Sequence, residues 1–109
     1  MTEFIPRKIA KSYNKYLNKY DEKKDSFILE INRKIKREHQ FNLLNDIQFC
    51  EKHDDGFETT KFYKNSKKNC DDYAIMLVRA GYDVEKNRTK DYGNDISYVS
   101  YTIKLRNNN

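Results

Sequence analysis

The chain of 109 residues combines a low apolar fraction, 37%, with a high charged fraction, 36%, when it is compared with ordinary globular domains. Nine tyrosines and six phenylalanines, with only one proline and three glycines, exclude the usual composition of a disordered chain. No apolar run is long enough for a transmembrane helix, and the first residues lack the apolar block of a secretory signal. We therefore expect one compact domain over residues 1–109, with a small aromatic core.

The formal net charge of +5 is concentrated in the first half of the chain. Residues 1–50 carry eleven basic and seven acidic side chains, whereas residues 51–109 carry eleven and ten. This asymmetry favours an anionic partner, which could be nucleic acid, an acidic protein surface or an anionic membrane. The alternative is that the charge only keeps a small protein soluble.

The first predicted helix, residues 4–20, contains five basic residues and no acidic one. At about 100° per residue these cations share one side of the helix. We call them the N-terminal basic stripe: Arg7, Lys8, Lys11, Lys15 and Lys19. Each like-charged pair at i,i+4 costs a helix roughly 0.2–0.5 kcal/mol, so the stripe indicates a partner that relieves this repulsion. The hypothesis is phosphate contact without sequence reading, and the alternative is a solvated helix face.

The opposite side of this helix carries Tyr13, Tyr16 and Tyr20 beside Ile5 and Ile9. This spacing favours core packing over base stacking, although single-strand binders also place aromatic residues beside lysines. A membrane role is not favoured, because this side lacks the Leu, Phe and Trp density of interfacial helices.

A second helix is predicted from a cap at Asp25 or Ser26 to about His39. Its apolar residues recur at helical spacing: Phe27, Ile28, Ile31 and Ile35. The two helices would form a helical hairpin within residues 1–40. Because no glycine or proline occurs over residues 7–55, one long helix over residues 6–39 is the alternative.

A β-hairpin is predicted at the start of the α+β core, which spans residues 41–105. The turn residues Asp54 to Gly56 separate two runs of strand-forming residues, 47–51 and 57–63. An Asp-Gly pair between two such runs is among the better short-range hairpin signals.

The helix predicted next, over about 67–80, differs from the others because apolar residues surround most of its circumference. Such a helix is normally buried, so we expect a buried central helix that ends at Gly81. Lys67 and Lys68 lie at its start, where the helix dipole disfavours cations, and this position favours a bound anion.

A second pair of strands is predicted at the C-terminus, with a turn at residues 92–95 and a frayed tail at 106–109. In the last strand, residues 96–105, apolar side chains alternate with polar ones, and Tyr98 lies on the otherwise polar face. Tyr98 is therefore the candidate for an exposed aromatic contact. The complete prediction is an α+β fold in which the N-terminal helices are followed by ββαββ with an antiparallel sheet.

Catalytic and metal-binding patterns are weak. Cys50 and His53 form a C-x-x-H pair, but a structural zinc site normally needs a second close pair of ligands. Asp54 and Asp55 lie at a predicted turn, where aspartate is favoured by local hydrogen bonding rather than by two-metal chemistry. No phosphate-binding glycine loop or nucleophile motif is present. We expect no cofactor, no metal and no enzymatic activity.

Cys50 and Cys70 are expected to be free thiols, because two cysteines do not make a disulfide framework in a chain of this size. Free thiols in turn favour the reducing cytoplasm as the location. Residue types with A/T-rich codons make up a large part of the chain and indicate an AT-rich genome, such as that of a phage or virus.

The leading hypothesis is a small basic protein that binds nucleic acid or a nucleoprotein complex through the N-terminal basic stripe. Lys67 and Lys68 would extend that surface if the fold places them nearby. The alternative is an inhibitor or adaptor that binds an acidic surface of a host protein, with the lysines steering the encounter. Neither the oligomeric state nor the strand order follows from the sequence.

Overall fold

The structure is a computed structural model that describes residues 3–11, 25–63, 66–93 and 95–106. It is an α+β domain with two helices and a four-stranded antiparallel sheet, which confirms the predicted fold class. The elements in chain order are a 3₁₀ turn at Arg7–Ile9, helix α1 at Ser26–Gln40, strands β1 at Ile47–His53 and β2 at Glu58–Thr60, helix α2 at Cys70–Arg79, and strands β3 at Asp83–Asp91 and β4 at Ile96–Lys104.

The strand order in the sheet is β2-β1-β4-β3, so β1 and β4 are central and β2 and β3 lie at the edges. Every neighbouring pair is antiparallel. The predicted hairpin turn at Asp54–Gly56 joins β1 to β2 and is confirmed. Gly56 has a φ of 89°, a left-handed conformation that glycine adopts without steric cost.

Both helices begin at side-chain caps. Asp25 accepts a hydrogen bond from the backbone N–H of Phe27 at 2.9 Å, and Asn69 accepts one from the N–H of Asp72 at 2.8 Å. Each cap satisfies a backbone donor that the first turn of a helix leaves without a partner. The backbone of Asp25 is extended, which excludes one continuous helix over residues 6–39.

The core lies between the two helices and one face of the sheet. The ring of Phe27 in α1 is 4.1 Å from the ring of Tyr73 in α2 and 5.8 Å from that of Phe49 in β1, measured between centroids. Alternate residues of β4 are buried on this face, as the strand pattern predicts: Val99, Tyr101 and Ile103. The other face of the sheet carries neither α1 nor α2.

The prediction that the second half contains a buried central helix is wrong. In α2 only Cys70, Tyr73 and Leu77 are buried, whereas Ile75 and Val78 are 51% and 57% exposed. The three buried residues form a narrow stripe that lies on the sheet. Ala74 and Met76 beside it are half-buried against the core, whereas Ile75 and Val78 face outward. The apolar residues around the circumference of α2 therefore include exposed ones, and their number does not mean that the helix is completely buried.

The prediction of free thiols is also wrong. Cys50 in β1 and Cys70 at the start of α2 form a disulfide, with their Cα atoms 5.9 Å apart, a normal separation for this bond. They are separated by 20 positions in the sequence and become neighbours only because α2 begins against the sheet. The expected cytoplasmic location rested on free thiols and loses that support.

The first described segment, residues 3–11, contains a 3₁₀ turn at Arg7–Ile9 with Pro6 as its N-cap. Residues 12–24, which the predicted first helix and the hairpin also require, lie outside the described residues. Within the described ranges, no helix has both the length and the apolarity that a membrane crossing needs.

Candidate functional site

Arg7 attaches the N-terminal segment to the end of α2. Its backbone N–H donates to the carbonyl of Ala80 at 2.8 Å. Its guanidinium donates to the carboxylate of Asp83 at 3.1 Å and to the carbonyls of Gly81 at 3.4 Å and Leu105 at 3.3 Å. Cations stabilise the negative end of a helix dipole, so this position suits an arginine. The structure thus gives Arg7, which the sequence analysis assigned to anion binding, a role within the chain.

Gly81 allows this close approach of the two segments. Its φ is +100°, and a Cβ atom at this position would lie 3.3 Å from the Cβ of Arg7. The adjacent Tyr82 donates its hydroxyl proton to the carbonyl of Ile5 at 2.6 Å. The N-terminal segment is therefore held on both sides of the α2–β3 connection.

The other members of the predicted basic surface do not come together in the described residues. Lys8 and Lys11 are exposed near the C-terminal end of α2, while Lys67 and Lys68 are exposed at its N-terminal end. The ten residues of α2 separate these ends by about 15 Å. Lys15 and Lys19 were predicted to belong to the same stripe and lie outside the described residues: 15 and 19 both fall within 12–24.

The backbone before α2 is already occupied by a partner from this chain. The N–H groups of Lys67 and Lys68 donate to the hydroxyl oxygen of Tyr73 at 3.1 and 3.2 Å. The hydroxyl of Tyr73 donates in turn to the carboxylate of Asp25. Burial, followed by this hydrogen bond, raises the pKa of Tyr73 well above its ordinary value. These amides serve an internal network, which removes the donors that an anion would use there.

Tyr98 lies on the face of the sheet opposite to α1 and α2, but it is half-buried rather than fully exposed. Its ring is 6.1 Å from that of His53, which is 5.8 Å from the ring of Phe57. The acids Glu51 and Glu85 lie on the same face, as the strand register shows. Glu51 is paired with Lys61 at 3.3 Å, and Glu85 with Lys104 at 3.2 Å. The charge around Tyr98 is therefore balanced, and this face lacks the excess of cations that phosphate binding uses.

The outer face of α2 is the feature that the sequence analysis missed. Ile75 and Val78 are both more than half exposed, and they border a groove of about 360 Å³ between α2 and β3. We call it the α2–β3 groove, and its lining includes Ala74, Ile75, Val78, Val84 and Tyr101. The available signal was the helical spacing, because Ile75 and Val78 do not share the stripe of Tyr73 and Leu77.

Two cations border the α2–β3 groove. Arg79 and Lys86 are among its lining residues, and Lys86 places its Nζ 5.5 Å from the ring centroid of Tyr101. Burial, together with a hydrogen bond to Asp71, raises the pKa of Tyr101 to about 12. Tyr101 is therefore neutral at physiological pH, and its ring provides a fixed apolar floor under Lys86.

A second groove, of about 890 Å³, lies on the opposite side of α2 against the N-terminal segment. Arg79 lines both grooves, and Lys8 and Met76 line the second one. The apolar ridge of Ile75 and Val78 is thus accompanied by cations on both sides. The border is basic toward β3 and toward the N-terminal segment, whereas the exposed Asp71 and Asp72 lie one turn before Ile75 on the same side of α2.

The positive charge of the N-terminal segment also acts on His39 near the end of α1. Burial lowers the pKa of His39 below its ordinary value of 6.5, and the charges of Arg7, Lys11 and Lys36 lower it further. Its buried Nε2 has no hydrogen-bond partner among the residues that the structure describes. The fold therefore brings cations from two distant parts of the chain close to the imidazole of His39.

Comparisons with known proteins identify no relative of this chain. No protein-family model, no curated protein and no solved structure matches the chain. Over the described ranges, no group of three or more His, Cys, Asp or Glu side chains is arranged to hold a metal ion. The features that bear on function are therefore the exposed apolar residues of α2 and the two grooves beside it.

Proposed function

We propose that this chain is a small non-enzymatic protein-binding module that acts as an inhibitor or adaptor on an acidic partner protein. The observation that carries the proposal is the exposure of Ile75 and Val78 beside the α2–β3 groove. Exposed apolar side chains that adjoin an apolar groove and are surrounded by polar residues are typical of interaction sites.

The gain from covering this ridge is large enough to matter. Complete burial of an Ile or Val side chain stabilises by about 1.5–3 kcal/mol, and about half of each side chain is already buried. A partner that covers Ile75 and Val78 would therefore gain about 1 kcal/mol from each. Apolar anchors of this size at the centre of a contact, with polar residues around them, are typical of protein interfaces.

The charges around the ridge select the kind of partner. Lys8, Arg79 and Lys86 border it, and the guanidinium of Arg7 is balanced by Asp83 within the chain. An acidic protein surface would be steered toward this side, and a basic one would be repelled. The overall charge of +5 acts in the same direction at long range.

The test compares two matched double variants of the full chain. Ile75→Asp/Val78→Asp places acids on the ridge, and Phe57→Asp/Ile96→Asp does the same at exposed apolar residues away from α2. Each immobilised protein is used to capture partners from a nuclease-treated lysate, and the captured protein is purified and titrated against all three chains. We expect binding by the parent and the control and a loss of at least about tenfold in the ridge variant.

Three results would overturn the proposal. The parent could retain no protein beyond what the ridge variant retains, the two double variants could lose binding equally, or amide exchange in the purified complex could show no protection on α2. All four substitutions are at exposed positions, so we expect each double variant to keep the fold. Circular dichroism of each variant verifies this.

Nucleic-acid binding is the second candidate function, and the cations near His39 favour it. Burial is the main cause of the lowered pKa of His39, and the positive charges of Arg7 and Lys11 lower it further. Lys11 and the nearby Lys8 are both exposed. Together with Lys15 and Lys19 of the N-terminal basic stripe, they would contact phosphates without reading sequence. Carriage by a phage or virus and action in the cytoplasm of its host are compatible with either function and belong to the proposal.

Salt dependence separates the two candidates. Replacing Lys8 and Lys11 by glutamine should reduce the slope of log K against log salt by about 2 for duplex DNA or RNA, since each phosphate contact contributes about 0.9. Lys52→Gln/Lys61→Gln is the matched control with the same change of charge. An unchanged slope, or no detectable binding by the parent at low salt, contradicts this second function.

A further inference from the structure

Strand β3 is an exposed edge next to the α2–β3 groove. Among the strands that the structure describes it pairs with β4 alone, and all of its nine residues except Val84 are exposed. An edge strand presents backbone N–H and C=O groups on its outer side, and these are available to a further strand. Val84 and Lys86 belong to β3 and also line the groove, so the edge and the groove form one continuous surface.

The charges of β3 are sorted onto its two faces. Lys86 and Arg88 pair with Tyr101 and Val99 of β4, which places their side chains on the helix-bearing face. Lys90 follows with the same alternation, so this face carries three cations and no acid between Val84 and Lys90. The opposite face of β3 carries Asp83, Glu85 and Asp91.

From this arrangement we propose that β3 is a docking edge for an extended acidic segment of the partner, which adds a fifth strand to the sheet. The inference rests on the proposed protein-binding function and names the form in which the partner binds. Backbone hydrogen bonds to β3 would supply affinity, and alternate side chains would supply specificity. Acidic residues of the segment face Lys86, Arg88 and Lys90, and an apolar residue beside Val84 enters the groove against Ile75.

A second copy of the chain does not fit this edge. Two β3 strands related by a twofold axis perpendicular to the sheet would pair antiparallel, and each residue would oppose one from the same face. Lys86 would then oppose Lys90 or Arg88, and Glu85 would oppose Asp91 or another residue of its own face. Like charges directly opposite each other destabilise a strand pair, so the pattern disfavours self-pairing and favours a segment of complementary charge.

One of the three cations on the helix-bearing face of β3 already takes part in an ion pair within the chain. Lys90 is 3.3 Å from the carboxylate of Asp95, but their side chains are 49% and 88% exposed. Exposed pairs of this kind contribute little, so an acid on an added strand can compete for Lys90. The stacking of Lys86 on Tyr101 leaves its ammonium group at the mouth of the groove.

The experiment titrates the isotopically labelled full chain with two peptides, each as long as the nine residues of β3. Both alternate valine or threonine with a charged residue, which is glutamate in the first peptide and lysine in the second. In each peptide a valine replaces the charged residue that would lie beside Val84, on the same face as the three cations. We expect the glutamate peptide to bind about tenfold more tightly than the lysine peptide, because three cross-strand charge pairs change sign. Amide shifts and slowed hydrogen exchange should be concentrated over residues 83–91.

The charge-reversal variant Lys86→Glu/Arg88→Glu/Lys90→Glu should invert this preference. The matched control is Arg37→Glu/Lys61→Glu/Arg106→Glu, which changes the net charge equally at exposed positions on other surfaces, and it should keep the preference of the parent. The inference is overturned if the two peptides bind equally, if the control loses the preference as well, or if the amide changes lie outside β3. Failure here with intact dependence on Ile75 and Val78 would remove the strand-addition mode alone, whereas loss of both would remove the proposed function.

Discussion

The side chain of Asn32 in α1 pairs with the backbone of Ile5 as a neighbouring strand would. Its Oδ1 accepts from the N–H of Ile5 at 2.8 Å, and its Nδ2 donates to the carbonyl of Glu3 at 2.9 Å. Asn32 is only 3% exposed. The buried N–H of Ile5 and the carbonyl of the exposed residue Glu3, in a segment without regular secondary structure, are thereby satisfied by a single amide.

Replacing Asn32 by leucine should destabilise the fold by about 1–3 kcal/mol, because it leaves the buried N–H of Ile5 without a partner and removes the hydrogen bond to the carbonyl of Glu3. The free energy of unfolding in urea measures the effect. In urea at a pH low enough to keep the introduced carboxyl protonated, Asn32→Asp retains an acceptor for Ile5 and a donor for Glu3, so its effect should be smaller than that of leucine. Equal losses in the two variants would contradict the assigned hydrogen bonds.

Arg7→Gln should lower stability by about 1–2 kcal/mol, because the guanidinium donates to the carbonyls of Gly81 and Leu105 and to the carboxylate of Asp83. Lys8→Gln removes the same charge at the next position, where the side chain is exposed, and should leave stability within about 0.5 kcal/mol of the parent. Thermal unfolding of the two variants provides the comparison. Equal stability would show that Arg7 does not hold the N-terminal segment.

Reduction of the Cys50–Cys70 disulfide should lower the free energy of unfolding by about 3 kcal/mol, because the bond closes a loop of about 20 residues in the unfolded chain. Urea unfolding with and without a phosphine reductant measures this loss, and thiol titration verifies that reduction is complete. The double variant Cys50→Ala/Cys70→Ala should be insensitive to the reductant. A reduced parent with an unchanged unfolding midpoint would contradict a stabilising role for the bond.

Stability should fall as the pH is lowered through the ordinary pKa of histidine, because of His39. Its pKa is lowered in the folded protein, so the unfolded chain binds a proton that the folded chain does not. The loss begins near pH 6.5 and grows until the lowered pKa of the folded state is reached. His39→Gln should flatten the dependence of the melting temperature between about pH 7.5 and about pH 5.5. His53→Gln, on the other face of the sheet, is the control. A flatter pH dependence in this control, and not in His39→Gln, would contradict the assignment of the pH dependence to His39.

A single charge change should create the self-pairing that the native β3 edge disfavours. In Lys86→Glu, a symmetric pair of β3 strands would place the introduced carboxylate of each copy opposite Lys90 or Arg88 of the other, and repulsion would become attraction. Sedimentation equilibrium should therefore show more dimer for Lys86→Glu than for the parent or for Lys86→Gln. Equal association of the three proteins would show that the cations of β3 do not control edge pairing.

The elements that the sequence predicted correctly depend on neighbouring residues. The Asp25 cap with the spacing of Phe27, Ile31 and Ile35 specifies α1, and Asp-Gly between two strand-forming runs specifies the turn before β2. In β4, alternation alone assigns the buried face. Each of these signals comes from residues that are close together in the sequence. Over such short distances, local hydrogen bonds and side-chain periodicity determine the conformation.

What the sequence alone determined is therefore the α+β class, the start of α1, the first hairpin and the excess of positive charge. Only the tertiary structure decided that Cys50 meets Cys70, that Arg7 bonds to the end of α2, and that Ile75 and Val78 face outward. These outcomes depend on which elements pack together across long separations in the chain. Periodicity shows that a residue is apolar, but burial, pairing and exposure are decided by what lies opposite it in the folded protein.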